Sequence, residues 1–327
     1  MPSDTNGLLR QIKLNEVEGG DFIMSEEKKE LDIISDRELS LGVKAYGMED
    51  YPAAFAYFLK SAEMGHYNAQ YNLGLMYRAG KGVEKDLQKS AYWYQKAAEQ
   101  GKSEAQFNLA CVYHTGEGRD KNMEKAVYWY EKAAEQGLLE AQFNLAYIYQ
   151  EGKALKEDLE KAVYWYRKAA KQGEAKARFE LGRMYEYGQG VDKNIKKALY
   201  WYGQAAKQGY LEAQTTLASL YHYGYNMESD FEKAFYWYEQ AARSGDRFAP
   251  FSLAEAFDRG VLIPQDIEKA VFWYFKSSEF MPEHLKRNTR LEELEAEYPG
   301  EYARAKARYL EELKPGRKYD FGIGRDI

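Results

Sequence analysis

Residues 102–137 read KSEAQFNLACVYHTGEGRDKNMEKAVYWYEKAAEQG, and closely similar stretches recur along the chain at a step of 36 residues. Four columns keep this step without an insertion: one of tryptophan, one of alanine and two of glycine. Their members are Trp93, Trp129, Trp165, Trp201, Trp237 and Trp273; Ala69, Ala105, Ala141, Ala177, Ala213 and Ala249; Gly80, Gly116, Gly152, Gly188, Gly224 and Gly260; and Gly101, Gly137, Gly173, Gly209 and Gly245. A fixed period of this length is typical of a solenoid of stacked repeats.

Each repeat is predicted to contain two helices. Ala105, Leu109 and Tyr113 have the spacing of one buried helical face, and Gly116 is placed to end that helix. Asn122 is placed to cap a second helix. The equivalent position holds an acid or an amide in the other repeats: Asp86, Asp158, Asn194, Asp230 and Asp266. The repeat is therefore predicted to be an antiparallel helix pair, and the chain to be all-α.

The composition agrees with a helical repeat protein and excludes several functional classes. Of the 327 residues, 45% are hydrophobic and 30% charged, and no proline occurs between Pro52 and Pro250. A net charge of −6 gives no basis for nucleic-acid binding, and no apolar run is long enough for membrane insertion. The N-terminal stretch has no secretory signal pattern, and the single cysteine, Cys111, fits a reducing compartment. A cytoplasmic location is therefore expected.

The motif shared by the repeats resembles the Sel1-like repeat family, which is related to tetratricopeptide repeats. It is seen in residues 69–74 (AQYNLG) with 89–94 (KSAYWY), and again over 141–145 and 161–166. The resemblance implies a right-handed α-solenoid of about seven helix pairs. It also implies an interaction module for protein or peptide partners, in a family that is common in bacteria.

Four segments are predicted along the chain. They are an N-terminal segment, partly disordered, over 1–36; a degenerate first repeat of nearly tetratricopeptide length over 37–65; six Sel1-like repeats over 66–280; and a C-terminal region over 281–327. The last region is predicted to hold two charged capping helices, over 283–297 and 301–313, divided by Pro299-Gly300, and an irregular tail.

No catalytic, metal or cofactor site is predicted. The histidines, including His114 and His222, have no ligand-spaced partner. Turns such as Gly116-Glu117-Gly118 follow a helix rather than a strand, so they are interpreted as helix-to-helix turns and not as phosphate-binding loops. Cys111 has no adjacent histidine or arginine that would activate its thiol. The chain is accordingly interpreted as a non-enzyme.

Candidate partner-binding residues lie on the first helix of each repeat, which lines the concave groove of the superhelices that the chain resembles. We define the first-helix stripe as the positions two, six and nine residues after the column alanine. The candidates on it are Tyr71, Phe107, His114, Phe143, Tyr147, Phe179, Arg183, Glu186 and His222. Alternatively, the aromatic residues of the stripe serve only to pack one layer of helices on the next. The variable residues of the stripe would then be ordinary surface residues with no role in binding.

Two further ladders have two interpretations each. The residues before each tryptophan, such as Tyr92 and Tyr128, form either an exposed binding ladder or a set of rings lying on adjacent layers. The amides of Asn72, Asn108 and Asn144 bind either an extended peptide or the neighbouring layer.

The leading functional hypothesis is a non-catalytic scaffold or adaptor that binds a protein or peptide in the concave groove. The first alternative, drawn from the resemblance, is an immunity protein or inhibitor that sequesters a bacterial toxin or effector. The second alternative is a polysaccharide- or envelope-binding protein, because aromatic ladders stack on sugars.

Overall fold

The computed structural model describes residues 23–152, 157–225, 227–260, 263–280 and 285–313. Every regular element in these segments is an α-helix. The sixteen helices are α1 (Ile23–Gly47), α2 (Tyr51–Glu63), α3 (Tyr67–Ala79), α4 (Leu87–Glu99), α5 (Ser103–Thr115), α6 (Met123–Glu135), α7 (Leu139–Glu151), α8 (Leu159–Lys171), α9 (Ala175–Tyr187), α10 (Ile195–Ala206), α11 (Leu211–Tyr223), α12 (Phe231–Arg243), α13 (Ala249–Arg259), α14 (Ile267–Ser278), α15 (Leu285–Glu297) and α16 (Pro299–Glu312).

The chain divides into two compact units, and the division falls between Trp165 and Tyr166. In unit 1 the pairs α1–α2, α3–α4 and α5–α6 pack within themselves, and each successive pair packs on the one before. In unit 2 the pairs are α9–α10, α11–α12 and α13–α14, followed by α15 and α16, which pack on α14. The predicted all-α stack of helix pairs is confirmed.

The caps that set the helix boundaries are those that the sequence columns predict. Asn122 Oδ1 accepts a 2.9 Å hydrogen bond from the Lys125 backbone N–H at the start of α6, and Asp86 does the same for Lys89 at the start of α4. At the other end, Gly116 adopts the left-handed conformation (φ 84°) that closes α5. Because a side chain on Cβ disfavours that conformation, glycine is suited to the position.

The core is built from small residues facing large ones. The column alanines, such as Ala105 and Ala141, are fully buried, as are the leucines four positions later. A tyrosine on the second helix of each repeat fills the space between the two helices, and its members with less than 2% exposure are Tyr94, Tyr130, Tyr166 and Tyr202. Alanine lets the helices approach closely, and the tyrosine rings occupy the remaining volume.

Adjacent repeats are joined by a repeated hydrogen-bond pattern. Gln136 Nε2 donates to the carbonyl oxygen of Gly101, which ends the preceding repeat (2.9 Å), and to Gln106 Oε1 of its own repeat (2.8 Å). Gln100 makes the same two bonds one repeat earlier, with Gly65 O and Gln70 Oε1, both at 2.8 Å. These bonds satisfy buried amide groups and fix how one repeat lies on the next.

Within each repeat, a lysine at the start of the second helix lies over an aromatic ring of the first. Lys125 Nζ is 5.4 Å from the centre of the Tyr113 ring, and Lys161 Nζ is 4.9 Å from that of Tyr149. This geometry is a cation–π contact. It accounts for the lysine that follows the capping residue by three positions in the repeats.

The ends of the chain depart from the repeat. The predicted boundary between residues 36 and 37 lies inside α1, while residues 1–22 and the predicted tail over 315–327 lie outside the described residues. Pro299, predicted to separate the capping helices, is instead the first residue of α16, a position that tolerates proline because its N–H has no partner in the helix. The two capping helices together bury Leu294, Tyr302 and Ala305 against α14 and its neighbours.

Candidate partner-binding site

The aromatic residues at the first position of the first-helix stripe are half-buried. Phe107 packs on Tyr130 with ring centres 5.7 Å apart, and Phe179 packs on Tyr202 at 5.4 Å. Tyr71 contacts Tyr94 at 6.0 Å in the same way. Phe143 is also half-buried. One face of each of the three contacting rings therefore packs against the second helix of its own repeat, while part of the side chain stays accessible.

The middle position of the stripe is the most accessible. Tyr147 is 47% exposed, and the Arg183 side chain is 45% exposed. Arg183 Nη1 hydrogen-bonds Glu180 Oε2 one turn earlier at 3.3 Å. Cys111, at the same position in another repeat, is half-buried, with its Sγ 3.3 Å from the Tyr130 hydroxyl. Burial raises the pKa of the Cys111 thiol, so the thiol stays protonated at neutral pH.

The last position of the stripe contacts the buried tyrosine found sixteen residues later. Tyr202 donates a 2.6 Å hydrogen bond to Glu186 Oε2, and Tyr274 donates a 3.1 Å bond to Asp258 Oδ2. In two other repeats, the Tyr130 hydroxyl is 3.4 Å from His114 Nδ1, and the Tyr238 hydroxyl is 3.3 Å from His222 Nδ1. The stripe is thus anchored to the core by tyrosine hydroxyls. This link was not predicted from the sequence, although the spacing of sixteen residues between the two positions is constant.

The stripe residues therefore cluster around single tyrosines. In unit 1, Phe107, Cys111 and His114 all contact Tyr130. In unit 2, Phe179 and Glu186 both contact Tyr202. Glu186 is only 9% exposed, which differs from the surface position predicted for it. The difference arises because the Tyr202 hydroxyl draws the carboxylate toward the interior.

The electrostatics of the stripe follow from this partial burial. Burial lowers the pKa of His222, and burial together with the nearby Lys121 lowers that of His114. Both imidazoles are therefore mainly neutral at pH 7. Burial and the Glu186 carboxylate raise the pKa of Tyr202 far above its ordinary value, so its hydroxyl remains a donor. Phe107, Cys111 and His114 thus form an uncharged cluster on α5. The stripe of α9, by contrast, carries a positive charge at Arg183 and a negative charge at Glu186.

In the last repeat, a capping helix reaches the stripe. Arg290 of α15 bonds Asp258 with two nitrogens, Nε to Oδ2 at 2.8 Å and Nη2 to Oδ1 at 2.9 Å. Phe251, Glu255 and Asp258 of α13, together with Thr289 and Arg290, border a cavity of about 660 Å³. The stripe of α13 therefore already contacts a helix of the same chain.

The two ladders have different environments. Tyr92, Tyr128 and Tyr164 are about half exposed, and each ring meets the following tryptophan edge-on, with ring centres 4.8–5.1 Å apart. Their rings are thus more accessible than tyrosines lying flat on a neighbouring layer would be. By contrast, burial raises the pKa of the Tyr71 and Tyr130 hydroxyls, and the side-chain amides of Asn108 and Asn144 in the following repeat lie close enough to these hydroxyls to oppose part of that rise, which favours bonding between layers.

The described residues also bear on metal binding and membrane insertion. These residues contain no group of three or more histidine, cysteine, aspartate or glutamate side chains that could hold a metal ion. In the same part of the chain, no helix combines the length and apolarity needed to cross a bilayer.

A family model for the Sel1 repeat matches seven successive segments: 39–66, 68–102, 103–138, 139–174, 175–210, 211–246 and 249–279. The chain belongs to the Sel1 repeat family. The predicted resemblance is confirmed. The matches place the first Sel1 repeat on α1 and α2, where the sequence predicted a degenerate repeat, and the last one on α13 and α14.

Two solved structures are similar to this Sel1 repeat protein. One is c5321, described as a protective antigen present in uropathogenic Escherichia coli strains and displaying an SLR fold, with 26% identity, a TM-score of 0.68, and coverage of 91% of this chain and 71% of that one. The other is a Sel1 repeat protein from Oxalobacter formigenes, with 34% identity, a TM-score of 0.57, and coverage of 73% and 96%. Both support the assignment of a Sel1 repeat fold.

Among curated relatives, a rat protein named DAP3-binding cell death enhancer 1 is 46% identical over 50 residues. The match covers 15% of this chain and 10% of the rat protein, so the similarity is confined to a short stretch of each.

Proposed function

We propose that this Sel1 repeat protein is a non-catalytic interaction scaffold, and that its first-helix stripes bind a protein or peptide partner. The observation that carries the proposal is the combination of a fixed backbone with variable side chains. In each of the two tyrosine-centred clusters, a half-exposed aromatic ring and a polar residue sit on one buried tyrosine, while the polar residue changes from His114 to Glu186. Partner choice would then depend on these changing residues.

Rigidity favours binding by such a surface. The stripe side chains lie on helices whose ends are capped and whose repeats are joined by hydrogen bonds such as Gln136 to Gly101. Little conformational entropy is lost by this chain when a partner binds, so a larger part of the contact energy is available as affinity. We expect the partner to lie in the groove that the resemblance implies for the first helices, and the protein to act in the cytoplasm.

The test compares two sets of substitutions of equal size. One variant carries Phe107→Ser, Tyr147→Ser and Phe179→Ser on the stripe. The matched control carries Tyr92→Ser, Tyr128→Ser and Tyr164→Ser on the exposed ladder. Both are purified as tagged full-length proteins, checked for helicity and unfolding midpoint, and used beside the wild type to capture proteins from a lysate of the source cells.

A protein that is retained by the wild type and the control but lost by the stripe variant is the expected result. Because Phe107 and Phe179 also pack on buried tyrosines, Tyr147→Ser and Arg183→Glu, at exposed positions, serve as a second stripe variant that leaves this packing intact. Retention of the same partner by both stripe variants, and its loss from the ladder control, would contradict the proposal. If the captured partner is identified as a toxin, the function is that of an inhibitor rather than of a general scaffold.

A further inference from the structure

The contact between α15 and α13 shows what an acidic stripe residue binds. Asp258 is 8% exposed, and it accepts a hydrogen bond from Tyr274 and two bonds from the Arg290 guanidinium. Two parallel N–H to oxygen bonds are the strongest arrangement between a guanidinium and a carboxylate, and lysine cannot form them. A helix therefore binds this stripe by placing an arginine against the residue at the last position of the stripe.

Two repeats earlier, α9 presents the same arrangement without a cation. Glu186 is the counterpart of Asp258, Tyr202 that of Tyr274, and Phe179 that of Phe251. The Tyr202 hydroxyl donates to Glu186 as the Tyr274 hydroxyl does to Asp258, and Phe179 and Phe251 pack on these tyrosines at 5.4 and 5.9 Å. Among the described residues, no basic side chain lies within salt-bridge distance of Glu186.

The positive charge of Arg183 opposes the rise in the pKa of Tyr187 and Tyr202, which both interact with Glu186, but Arg183 forms no salt bridge with Glu186 itself. Arg183, one turn earlier on α9, hydrogen-bonds Glu180 instead. The Glu186 carboxylate and burial raise the pKa of Tyr187, and burial keeps the next repeat's His222 mainly neutral. A carboxylate that is nine-tenths buried and is held by a tyrosine hydroxyl but by no cation costs free energy, and a guanidinium would recover part of that cost.

We propose that the stripe of α9 is a binding site for an arginine presented by a helix of the protein partner, bound at Glu186 in the way that Arg290 is bound at Asp258. The inference rests on the proposed scaffold function and specifies its partner. Since Arg183 stands one turn from Glu186, the partner helix should also carry an acidic residue one turn from its arginine. The chain's own α15 has this pattern in Arg290 and Glu293, which are themselves paired at 2.8 Å.

The test uses a synthetic peptide with the sequence of residues 285–297, blocked at both ends and labelled with a fluorophore. Its binding to the full-length chain is followed by fluorescence anisotropy. Saturable binding is expected to the wild type, and it should weaken at least about tenfold with Glu186→Gln. The matched control is Glu232→Gln, which removes the same charge from an exposed position on α12 and should leave the affinity unchanged.

A second peptide carrying Arg290→Gln closes a double-mutant cycle. If the arginine binds Glu186 directly, Glu186→Gln weakens the original peptide but has little further effect on the altered one. Glu186→Asp, which keeps the charge, should bind the original peptide nearly as well as the wild type. Equal affinities for the wild type and Glu186→Gln, or no saturable binding up to millimolar peptide, would overturn the inference.

The same variants separate this inference from the scaffold function. If the captured partner is lost by the stripe variants yet binds Glu186→Gln as tightly as the wild type, the scaffold function stands and the arginine site does not exist. If neither the stripe variants nor Glu186→Gln changes partner affinity, both proposals are wrong. Loss of partner binding with both, and retention with Glu232→Gln, would support both.

Discussion

Gly118 and Leu87, which belong to different repeats, are in direct backbone contact: a Cβ atom added to Gly118 would overlap the Leu87 carbonyl. Gly118 also has φ 83°. Two features therefore favour glycine at the second position of the G-x-G turn. The backbone there is left-handed, and the preceding repeat leaves no room for a side chain. The turn is a contact between repeats, in addition to the helix-to-helix connection that the sequence predicts.

Gly118→Ala should destabilise the protein more than Gly101→Ala. Both glycines have positive φ, 83° and 91°, so either alanine costs about 1–2 kcal/mol of conformational strain. Only Gly118 meets a neighbour, because nothing lies within 4 Å of a Cβ added to Gly101. Overpacking should add roughly 1–3 kcal/mol at Gly118. Urea unfolding of the two variants measures the difference, and equal losses would show that the contact with Leu87 has no energetic weight.

Asn122→Ala should lower the free energy of unfolding by about 1 kcal/mol, because the N-terminal turn of α6 loses its side-chain cap. Asn122 Oδ1 accepts the Lys125 N–H at 2.9 Å in the native protein. Asn122→Asp is the matched control, since an aspartate keeps the acceptor that several other repeats use at this position. Thermal and urea unfolding should place the aspartate variant close to the wild type. A similar loss in both variants would mean that the cap is not the source of the effect.

Gln106→Met should destabilise the junction between two repeats by about 1–3 kcal/mol. Gln106 is 4% exposed, donates to Ala98 O at 3.2 Å and accepts from Gln136 Nε2 at 2.8 Å. Methionine has a similar volume but neither the amide donor nor the carbonyl acceptor, so the Ala98 carbonyl loses this bond. Gln88→Met, at an exposed position, is the control. The prediction is wrong if urea titrations give the same loss for both variants.

Acidification should destabilise the native protein through His222. Burial holds the pKa of this imidazole below its ordinary value of 6.5 in the folded state. The unfolded chain therefore binds a proton more readily, so this contribution to stability is complete above the unfolded pKa and decreases as the pH falls below it. His222→Gln should unfold with a smaller change in midpoint between pH 7.5 and pH 5 than the wild type. Parallel pH profiles for the two proteins would contradict this.

The sequence predicted most of the fold because the physical requirements of a helix pair recur in fixed columns. Asn122 and its counterparts mark where the second helices start, and Gly116 and its counterparts mark where the first helices end, and these predicted boundaries agree with the helices between α3 and α14. These columns do not extend into the C-terminal region, so its contacts could not be predicted in the same way. Arg290 lies outside the repeat, and no column indicates which residue of α13 it meets.

The candidate stripe was predicted less completely than the fold. Its positions on the first helices follow from the column alanine, and the structure places Tyr147 and Arg183 on an accessible surface. Periodicity along the first helix does not show which residue of the second helix each stripe residue contacts. Glu186 is therefore drawn inward by Tyr202, and Asp258 is already bound by Arg290.

The glutamine bonds between repeats also bear on how such a chain grows during evolution. Gln100, Gln136 and Gln208 each donate to the carbonyl of the glycine 35 residues earlier, at 2.8–2.9 Å. Since these junctions use the same atoms, duplication or deletion of one 36-residue segment of the gene inside a run of such repeats would join two ends that already fit. The length of the repeat array can thus change by whole units in a single genetic event, without new compensating substitutions at the junction.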